Sequence, residues 1–226
     1  MEKRQFQQIE ACMFACMADS AHDREHVYRV LHTALLIAEG ERNVDWDVLI
    51  CAALLHDIGR AEQFADPTLC HAKVGGEKAF QFLMENGYSR EFAEQVRHCI
   101  TAHRFRANCP PETVEAKILF DADKLDAVGA MGIARTLLYQ GHEGTPLYAL
   151  TQEGNISDGT GDTEDSFFRE YRFKLEKLYD RFYTQRGREL ARQRQQVAVD
   201  FYQAMLAEAQ QSRTAGQRIL SQLLNR

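Results

Sequence analysis

Apolar residues recur at helical spacing along most of the chain. Between His26 and Gly40 they return every three or four positions, which is the period of an amphipathic helix. The segment 48–57, VLICAALLHD, is apolar on nearly all sides up to its last two residues, so we expect it in the middle of the fold. Further helices are predicted at 72–86, 90–103, 112–126 and 127–141. Because no segment shows the alternation of a strand, the predicted fold class is all-α.

A change of composition separates this region from the C-terminal part of the chain. Residues 141–162 are rich in Gly, Ser, Thr, Asn and Asp and predict a long loop, and loops of this length are usually functional or mobile. Two long amphipathic helices are predicted after it, at 164–184 and 187–211, with a short helix near 214–225. These helices are expected to bury two sets of apolar side chains: Phe167, Phe168, Tyr171, Leu175 and Leu178, and then Ala191, Val197, Phe201, Met205 and Leu206.

Composition and charge narrow the function classes. Hydrophobic residues make up 45% of the 226 residues, which argues against a disordered chain. The formal net charge of −6 disfavours a dedicated nucleic-acid-binding role, and the arginines within 186–194 are interleaved with Glu189 and glutamines, as on a solvated helix face. No apolar run approaches the roughly 20 residues of a membrane span and no signal peptide is recognised, so we expect a cytoplasmic protein with reduced cysteines.

The candidate chemistry begins where the apolar helix ends. His56 and Asp57 follow eight apolar residues, and burying two ionisable groups there is costly unless a partner neutralises them. A divalent cation would serve, because it binds an imidazole nitrogen and a carboxylate together. His26 lies on the apolar side of an earlier helix, and Asp123 has Leu119 and Ala127 four residues to either side. Two imidazoles and two carboxylates suit a mononuclear metal site with positions left open for water and substrate.

The ordered set resembles the HD superfamily of metal-dependent hydrolases, whose pattern is H…HD…D on consecutive helices. The matching segments are HDREHVYRVLHTA, ALLHDIGR and DADKLDAVGAMGIAR. The resemblance implies an HD-domain helical bundle over about 20–140, with metal ligands His26, His56, Asp57 and Asp123. We therefore predict a single domain, 1–226, in which the loop of about 141–162 leads to additional C-terminal helices, about 164–226, packed on the core.

Asp121 and Asp126 compete with Asp123 for the last ligand position. The helical register and the family pattern both favour Asp123, and Asp126 is then the better candidate for a group that supports a ligand from behind. His22 and Asp23, just before the first ligand, are candidates for capping the helix or for the same supporting role.

Further residues are candidates for catalysis and substrate binding. In HD proteins with two metals, histidines at the places of His71 and His103 complete a second site; the alternative is that they contact a substrate phosphate or the attacking water. Together with Asp57 they are the catalytic candidates. Some HD phosphatases carry a glutamate shortly after the doublet for proton transfer, and here the nearest acid is Glu62. The cations that could bind a phosphoryl group are Arg29, Arg60 and Lys124.

The predicted function is that of a metal-dependent phosphohydrolase. It would cleave a phosphoester or phosphoanhydride bond of a small phosphorylated substrate, with a nucleotide as the leading candidate. The cofactor would be one or two divalent ions (Mn, Mg, Fe, Ni, Co or Zn). Two alternatives remain open, a di-iron oxygenase on the same fold and a non-catalytic HD-fold sensor or scaffold. Neither a membrane nor a nucleic acid is expected as a partner, and assembly into a homo-oligomer is left open.

Overall fold

The computed structural model describes residues 1–16, 24–104 and 109–225. Helices dominate these residues, which confirms the all-α class; no strand occurs among them, and Leu150 and Ile156 form an isolated bridge. The α-helices are α1 Lys3–Cys16, α2 Arg24–Ala38, α3 Trp46–Leu55, α4 Arg60–Ala65, α5 His71–Glu85, α6 Arg90–Ala102, α7 Val114–Leu125, α8 Gly129–His142, α9 Phe167–Phe173 and α10 Gln185–Leu224, with a 3-10 helix at Leu175–Asp180.

The backbone forms two compact units. The first comprises Met1–Asp126 with Phe182–Gly187, and the second comprises Ala127–Arg181 with Arg188–Arg226. The predicted single domain, with its C-terminal helices packed on the core, stays a prediction.

The first unit is built around α3. Asp45 caps this helix by accepting bonds from the amides of Asp47 and Val48, and all of Cys51–Leu55 is buried. Helices α1, α2, α6 and α7 all pack against it, and α5 packs on α6. An apolar helix enclosed in this way fixes its C-terminal end in the interior, as the sequence predicts.

A buried carboxylate holds the start of α10 in the first unit. Asp121 on α7 is fully buried and accepts bonds from the amides of Tyr183 and Thr184, at 2.9 and 2.7 Å, and from the Thr184 hydroxyl at 2.7 Å. A Cβ on Gly187 would lie 2.4 Å from Asp121 Oδ2, so a glycine is needed for this close approach. Both carboxylate oxygens of Asp121 are therefore engaged by the backbone of residues 183–184.

The C-terminal helices differ from the prediction in their lengths. The segment predicted as one helix at 164–184 is divided into α9 and the 3-10 helix, whereas the predicted break between 211 and 214 is wrong because α10 runs through it. Phe167, Phe168 and Tyr171 are buried as expected, but Val197 and Phe201 are 51% and 40% exposed, which corrects their predicted burial.

None of the described helices combines the length and the apolar character that a bilayer crossing requires. All six cysteines are free thiols.

Candidate metal centre

The His56-Asp57 doublet lies directly after the C-terminal end of α3. Both side chains are buried, with 0% and 1% exposure. The Nδ1 atom of His56 lies 2.8 Å from the carbonyl oxygen of Ala53. A carbonyl can only accept, so Nδ1 carries the proton and Nε2 presents a lone pair to the interior.

Close packing of glycines brings the turn after the doublet against the start of α5. A Cβ added to Gly59 would lie 2.3 Å from the carbonyl oxygen of His71 and 2.5 Å from the amide nitrogen of Gly75. Both are backbone atoms that cannot move aside, so only glycine fits here. This approach places His71 Nε2 3.6 Å from Asp57 Oδ1.

A first group of potential ligands consists of His26, His56 and Asp123, whose donor atoms all lie within 4.8 Å of one another. The two Nε2 atoms of the histidines are 3.4 Å apart, and His26 Nε2 is 3.5 Å from Asp123 Oδ1. Asp57 Oδ2 also lies beside this group, at 3.5 Å from His26 Nε2 and 3.6 Å from His56 Nε2. The four residues predicted as ligands therefore meet in one place.

A second group consists of Asp57, His71 and His103, whose donor atoms also lie within 4.8 Å of one another. The Nε2 atoms of the two histidines are 3.3 Å apart, and His103 Nε2 is 3.7 Å from Asp57 Oδ1. Asp57 thus points one oxygen at each pair of histidines. Sequence spacing does not reveal this division, because the three residues lie on different elements.

Each histidine is held from behind through its other ring nitrogen. His103 Nδ1 lies 2.6 Å from the carbonyl oxygen of Ile100, and His71 Nδ1 lies 2.8 Å from Gln63 Oε1. The Gln63 amide is oriented by its own bond to the Leu69 carbonyl oxygen at 3.2 Å. Fixing Nδ1 in this way directs Nε2 at the centre, which is typical of metal-binding histidines. Gln63 was not predicted, since nothing in the sequence relates it to a histidine eight residues later.

The first group is strongly ionic. Burial alone would lower the pKa of His26, but the neighbouring carboxylates of Asp123, Asp126 and Asp57 raise it to about 10. Asp126 accepts from His26 Nδ1 at 2.7 Å, so it lies behind this candidate ligand, in the place where the sequence analysis expected a supporting group. His26 is therefore protonated at neutral pH when no metal is bound.

The second group has the opposite protonation behaviour. Burial, with the nearby Arg60 and His103, lowers the pKa of His71 to about 2. Burial and the neighbouring His56 lower the pKa of His103 to about 4. Both rings are neutral at pH 7, and because both Nδ1 atoms face acceptors, both Nε2 atoms present lone pairs to each other across 3.3 Å.

The donor set fits divalent cations. Asp57 Oδ2 is buried and has no hydrogen-bond partner among the described residues. Burial by itself would raise the pKa of the Asp57 carboxyl, yet His56, His26 and Arg60 hold it well below its usual value, so it is ionised. An orphaned carboxylate oxygen and facing nitrogen lone pairs are costly unless a cation lies between them. Metal–ligand bonds of about 2.0–2.2 Å also place neighbouring donors roughly 3–3.6 Å apart, as here.

The three predicted phosphate-binding cations lie beside carboxylates of the centre. Arg29 contacts Asp126 through Nε at 2.8 Å, Arg60 Nε contacts Asp57 Oδ1 at 2.9 Å, and Lys124 Nζ contacts Asp123 Oδ2 at 3.3 Å. Their side chains are 28%, 25% and 17% exposed, respectively. Asp123 is 15% exposed, whereas the Asp57 side chain is fully enclosed, so the centre opens to solvent on the Asp123 side.

Other candidates lie elsewhere or outside the described residues. Glu62 Oε1 is bound to Lys78 Nζ at 2.6 Å, so this acid is paired with a lysine. His98 Nε2 accepts a bond from the Glu112 amide at 3.4 Å, consistent with a structural role. His22 and Asp23 lie outside the described residues.

Comparison with known proteins agrees with this architecture. The HD domain family matches residues 24–128, the segment that carries every residue of both groups. The uncharacterized protein YpgQ of Bacillus subtilis is 33% identical over 206 residues, which are 88% of this chain and 91% of YpgQ. Its crystal structure has a TM-score of 0.70, at 29% identity, and covers 91% of this chain and 95% of that one.

Two further solved structures extend the comparison. YpgQ in complex with ADP has a TM-score of 0.67 at 29% identity, over 88% of this chain and 97% of that one. A predicted HD superfamily hydrolase from an uncultured Thermotogales bacterium has a TM-score of 0.59 at 31% identity, over 91% and 92% of the two chains. With its matching family segment and a relative of this similarity over nearly its whole length, the chain belongs to the HD-domain superfamily.

Proposed function

We propose that the protein is a metal-dependent phosphohydrolase that cleaves a phosphoester or phosphoanhydride bond of a small substrate, with nucleotides as the substrate class. The observation that carries the proposal is Asp57, a buried carboxylate that offers one oxygen to His26 and His56 and the other to His71 and His103. One carboxylate placed between two pairs of imidazoles is suited to bridging two cations. This arrangement favours a second metal over the alternative in which His71 and His103 contact substrate.

The proposed ligand groups are His26, His56 and Asp123 with Asp57 Oδ2, and His71 and His103 with Asp57 Oδ1. A divalent cation held there would lower the pKa of water from about 15.7 toward 7 and offset the negative charge of a phosphoryl group. The chain itself supplies the orientation of these ligands. Asp126, Gln63 and the carbonyl oxygens of Ala53 and Ile100 hold the four rings so that every Nε2 faces the centre.

Positive charge at the exposed rim supports a phosphorylated substrate. Arg29, Arg60 and Lys124 are partly exposed and are held in place by carboxylates of the centre. Part of their donor capacity can turn to phosphate oxygens, which they bind by charge-assisted hydrogen bonds. The ADP complex of the relative YpgQ supports a nucleotide as the substrate. The intact donor set disfavours the alternative of a non-catalytic scaffold.

A substrate panel tests the proposal directly. Purified protein loaded separately with Mn²⁺, Mg²⁺, Co²⁺, Ni²⁺, Zn²⁺ or Fe²⁺ would be incubated with nucleoside mono-, di- and triphosphates, cyclic nucleotides and a generic phosphomonoester. We expect metal-dependent product formation from at least one nucleotide, measured by phosphate release and by chromatography of the products. An Asp57→Asn preparation controls for contaminating phosphatases. Absence of hydrolysis with every ion, or two irons per chain with substrate-dependent oxygen consumption, would instead favour the alternatives.

The protonation states predict how metal binding depends on pH. A cation that binds the first group must displace the Nε2 proton of His26, whose pKa is raised to about 10, whereas His71 and His103 are already neutral above about pH 5. Loading both groups at pH 7 should therefore release about one proton per chain, and affinity at the first group should rise about tenfold per pH unit up to pH 10. Calorimetry in two buffers of different ionisation enthalpy measures this number. Release of no proton would contradict the assigned protonation state of His26, whereas any proton beyond the first would come from metal-bound water.

A further inference from the structure

Tyr183 is an exposed aromatic residue in a segment of the first unit to which the proposed reaction gives no role. Its side chain is 40% exposed. It belongs to Phe182–Gly187, which the chain reaches only after it has left the first unit at Asp126 and passed through the second. The segment also lies outside residues 24–128, which match the HD domain family, so the family match assigns it nothing. Its return to the first unit therefore needs an explanation of its own.

The backbone at Tyr183 is fixed to the helix that carries a candidate metal ligand. Asp121 Oδ1 accepts a bond from the Tyr183 amide at 2.9 Å, and Oδ2 accepts bonds from the amide and hydroxyl of Thr184. Asp121 lies on α7, two residues before Asp123. A fully buried carboxylate is costly unless it is hydrogen-bonded, and here its bonds go to a segment distant in the sequence. They hold Tyr183 at a defined place beside α7.

The ring of Tyr183 lies near the lysine at the open side of the metal centre. It contacts the Phe120 ring edge to face, with centroids 5.0 Å apart and planes at 87°. Lys124 Nζ lies 5.0 Å from the centroid of the same Phe120 ring, so the Tyr183 centroid is at most twice that distance from Lys124 Nζ. Lys124 Nζ also contacts Asp123 Oδ2 at 3.3 Å. The tyrosine therefore lies on the side where the centre opens to solvent.

This separation suits the two ends of a nucleotide. With covalent bonds of about 1.5 Å, the base and the terminal phosphate of a nucleoside diphosphate lie on the order of 6–10 Å apart. Every base presents a π face, and stacking on an aromatic side chain strengthens its binding roughly ten- to hundredfold. Lysine is a point charge suited to phosphate oxygens. An aromatic ring and an ammonium group at this spacing thus match a base and its phosphates.

We propose that Tyr183 binds the base of the nucleotide by stacking, with the phosphates at Lys124 and the ligand groups. This inference rests on the proposed function, because it takes the phosphates to bind at the metal centre. Stacking reads the π face of a base and not its hydrogen-bonding edge. Tyr183 then selects for the presence of a base and not for its identity, so it distinguishes nucleotides from small phosphates that lack a nucleoside.

Phe64 is the competing platform for a base. It is 52% exposed and lies one turn after Arg60 on α4. None of the six residues of α4 is buried, whereas the backbone of Tyr183 is held by Asp121. A ring that is already held in place loses less freedom when a ligand binds. The carboxylate next to Arg60 is also the fully enclosed Asp57, so α4 lies at the closed side of the centre. Both observations favour Tyr183.

A pair of ligands that share one diphosphate group tests the contact. The probes are α,β-methylene-ADP and methylenediphosphonate, which resist hydrolysis and differ by the nucleoside. Their Kd for Mn²⁺-loaded protein would be measured by calorimetry. We expect Tyr183→Ala to weaken binding of the nucleotide by about tenfold or more and to leave the diphosphonate within about twofold of the wild type. Tyr183→Phe keeps the ring and should bind the nucleotide within about threefold of the wild type.

Trp46→Ala is the matched control for removing an exposed aromatic ring. Trp46 is 43% exposed and is the first residue of α3, whereas the His56-Asp57 doublet follows the last. This variant should bind both probes like the wild type. Circular dichroism would check that the helices of each variant are formed.

The outcomes separate this contact from the reaction itself. Unchanged nucleotide affinity in Tyr183→Ala would overturn the proposal, and so would an equal loss for both probes, since residue 183 would then affect the phosphate site or the fold. A nucleotide-specific loss in Phe64→Ala instead of Tyr183→Ala would place the base on α4 and overturn it too. If the substrate panel shows no hydrolysis while the nucleotide-specific loss occurs in Tyr183→Ala, the reaction is rejected and the stacking contact stands.

Discussion

Replacing Asp57 with asparagine is expected to empty both ligand groups of metal and to lower phosphohydrolase activity by about 10³-fold or more. Asp57 is the residue shared by the two groups, since Oδ2 lies 3.5 Å from His26 Nε2 and Oδ1 lies 3.6 Å from His71 Nε2. Asparagine has nearly the same shape, but it removes the negative charge and turns one ligand atom into a donor. Cations would then face four neutral or protonated imidazoles with Asp123 as the remaining carboxylate.

The measurement is metal content by atomic spectroscopy together with steady-state kinetics on the best nucleotide. Asp66→Asn is the matched control. Asp66 is an exposed aspartate nine residues after Asp57, and its side chain accepts a hydrogen bond from the Thr68 hydroxyl. It should keep wild-type metal and activity. If the Asp57 variant retains two ions per chain, or loses less than about tenfold in activity, the bridging role is wrong. Circular dichroism of the metal-free variant checks that the helices are still formed.

The HD doublet could be predicted because its signal is local. The sequence has eight apolar residues followed by His56 and Asp57. This pattern requires a helix that is enclosed on all sides and is followed by ionisable residues, and α3 has this form. The choice of Asp123 over its neighbours rested on register. The structure gives a physical reason for it, since Asp121 faces the amides of residues 183–184 and Asp126 lies behind His26.

The division into two ligand groups could not be predicted from spacing. His71 and His103 lie 14 and 46 residues after Asp57, and their meeting depends on the glycine contact between Gly59 and the start of α5. An amphipathic pattern likewise shows that a helix has an apolar face without showing what covers it. For this reason Val197 and Phe201 were wrongly expected to be buried within the chain.

The continuous α10 is a similar case. Ser212, Thr214 and Gly216 are poor helix formers and favoured a break near 212–214. Each costs only a fraction of a kcal/mol to about 1 kcal/mol, however, and the flanking Gln, Arg, Ala and Leu residues propagate a helix well. The segment also contains no proline, which would remove a backbone donor and interrupt the helix.

Replacing His103 with asparagine is expected to halve the metal content, from two ions to one per chain, and to lower kcat by about 10²–10³-fold. His103 Nε2 belongs to the second group, 3.3 Å from His71 Nε2, whereas the first group retains His26, His56 and Asp123. Asparagine can still donate to the Ile100 carbonyl oxygen, which limits the damage to the fold.

This variant separates the two roles that the sequence left open for His103. A histidine that binds substrate phosphate would, when replaced, raise KM and leave the metal content unchanged. A metal ligand, when replaced, removes one ion and lowers kcat, and the remaining ion should still bind with release of about one proton from His26. His98→Asn is the control, because His98 lies on α6, the helix that ends directly before His103, and accepts a bond from the Glu112 amide away from both groups. A metal content equal to that of the wild type, together with an increased KM, would show that the second group binds substrate, and the two-cation centre would then be wrong.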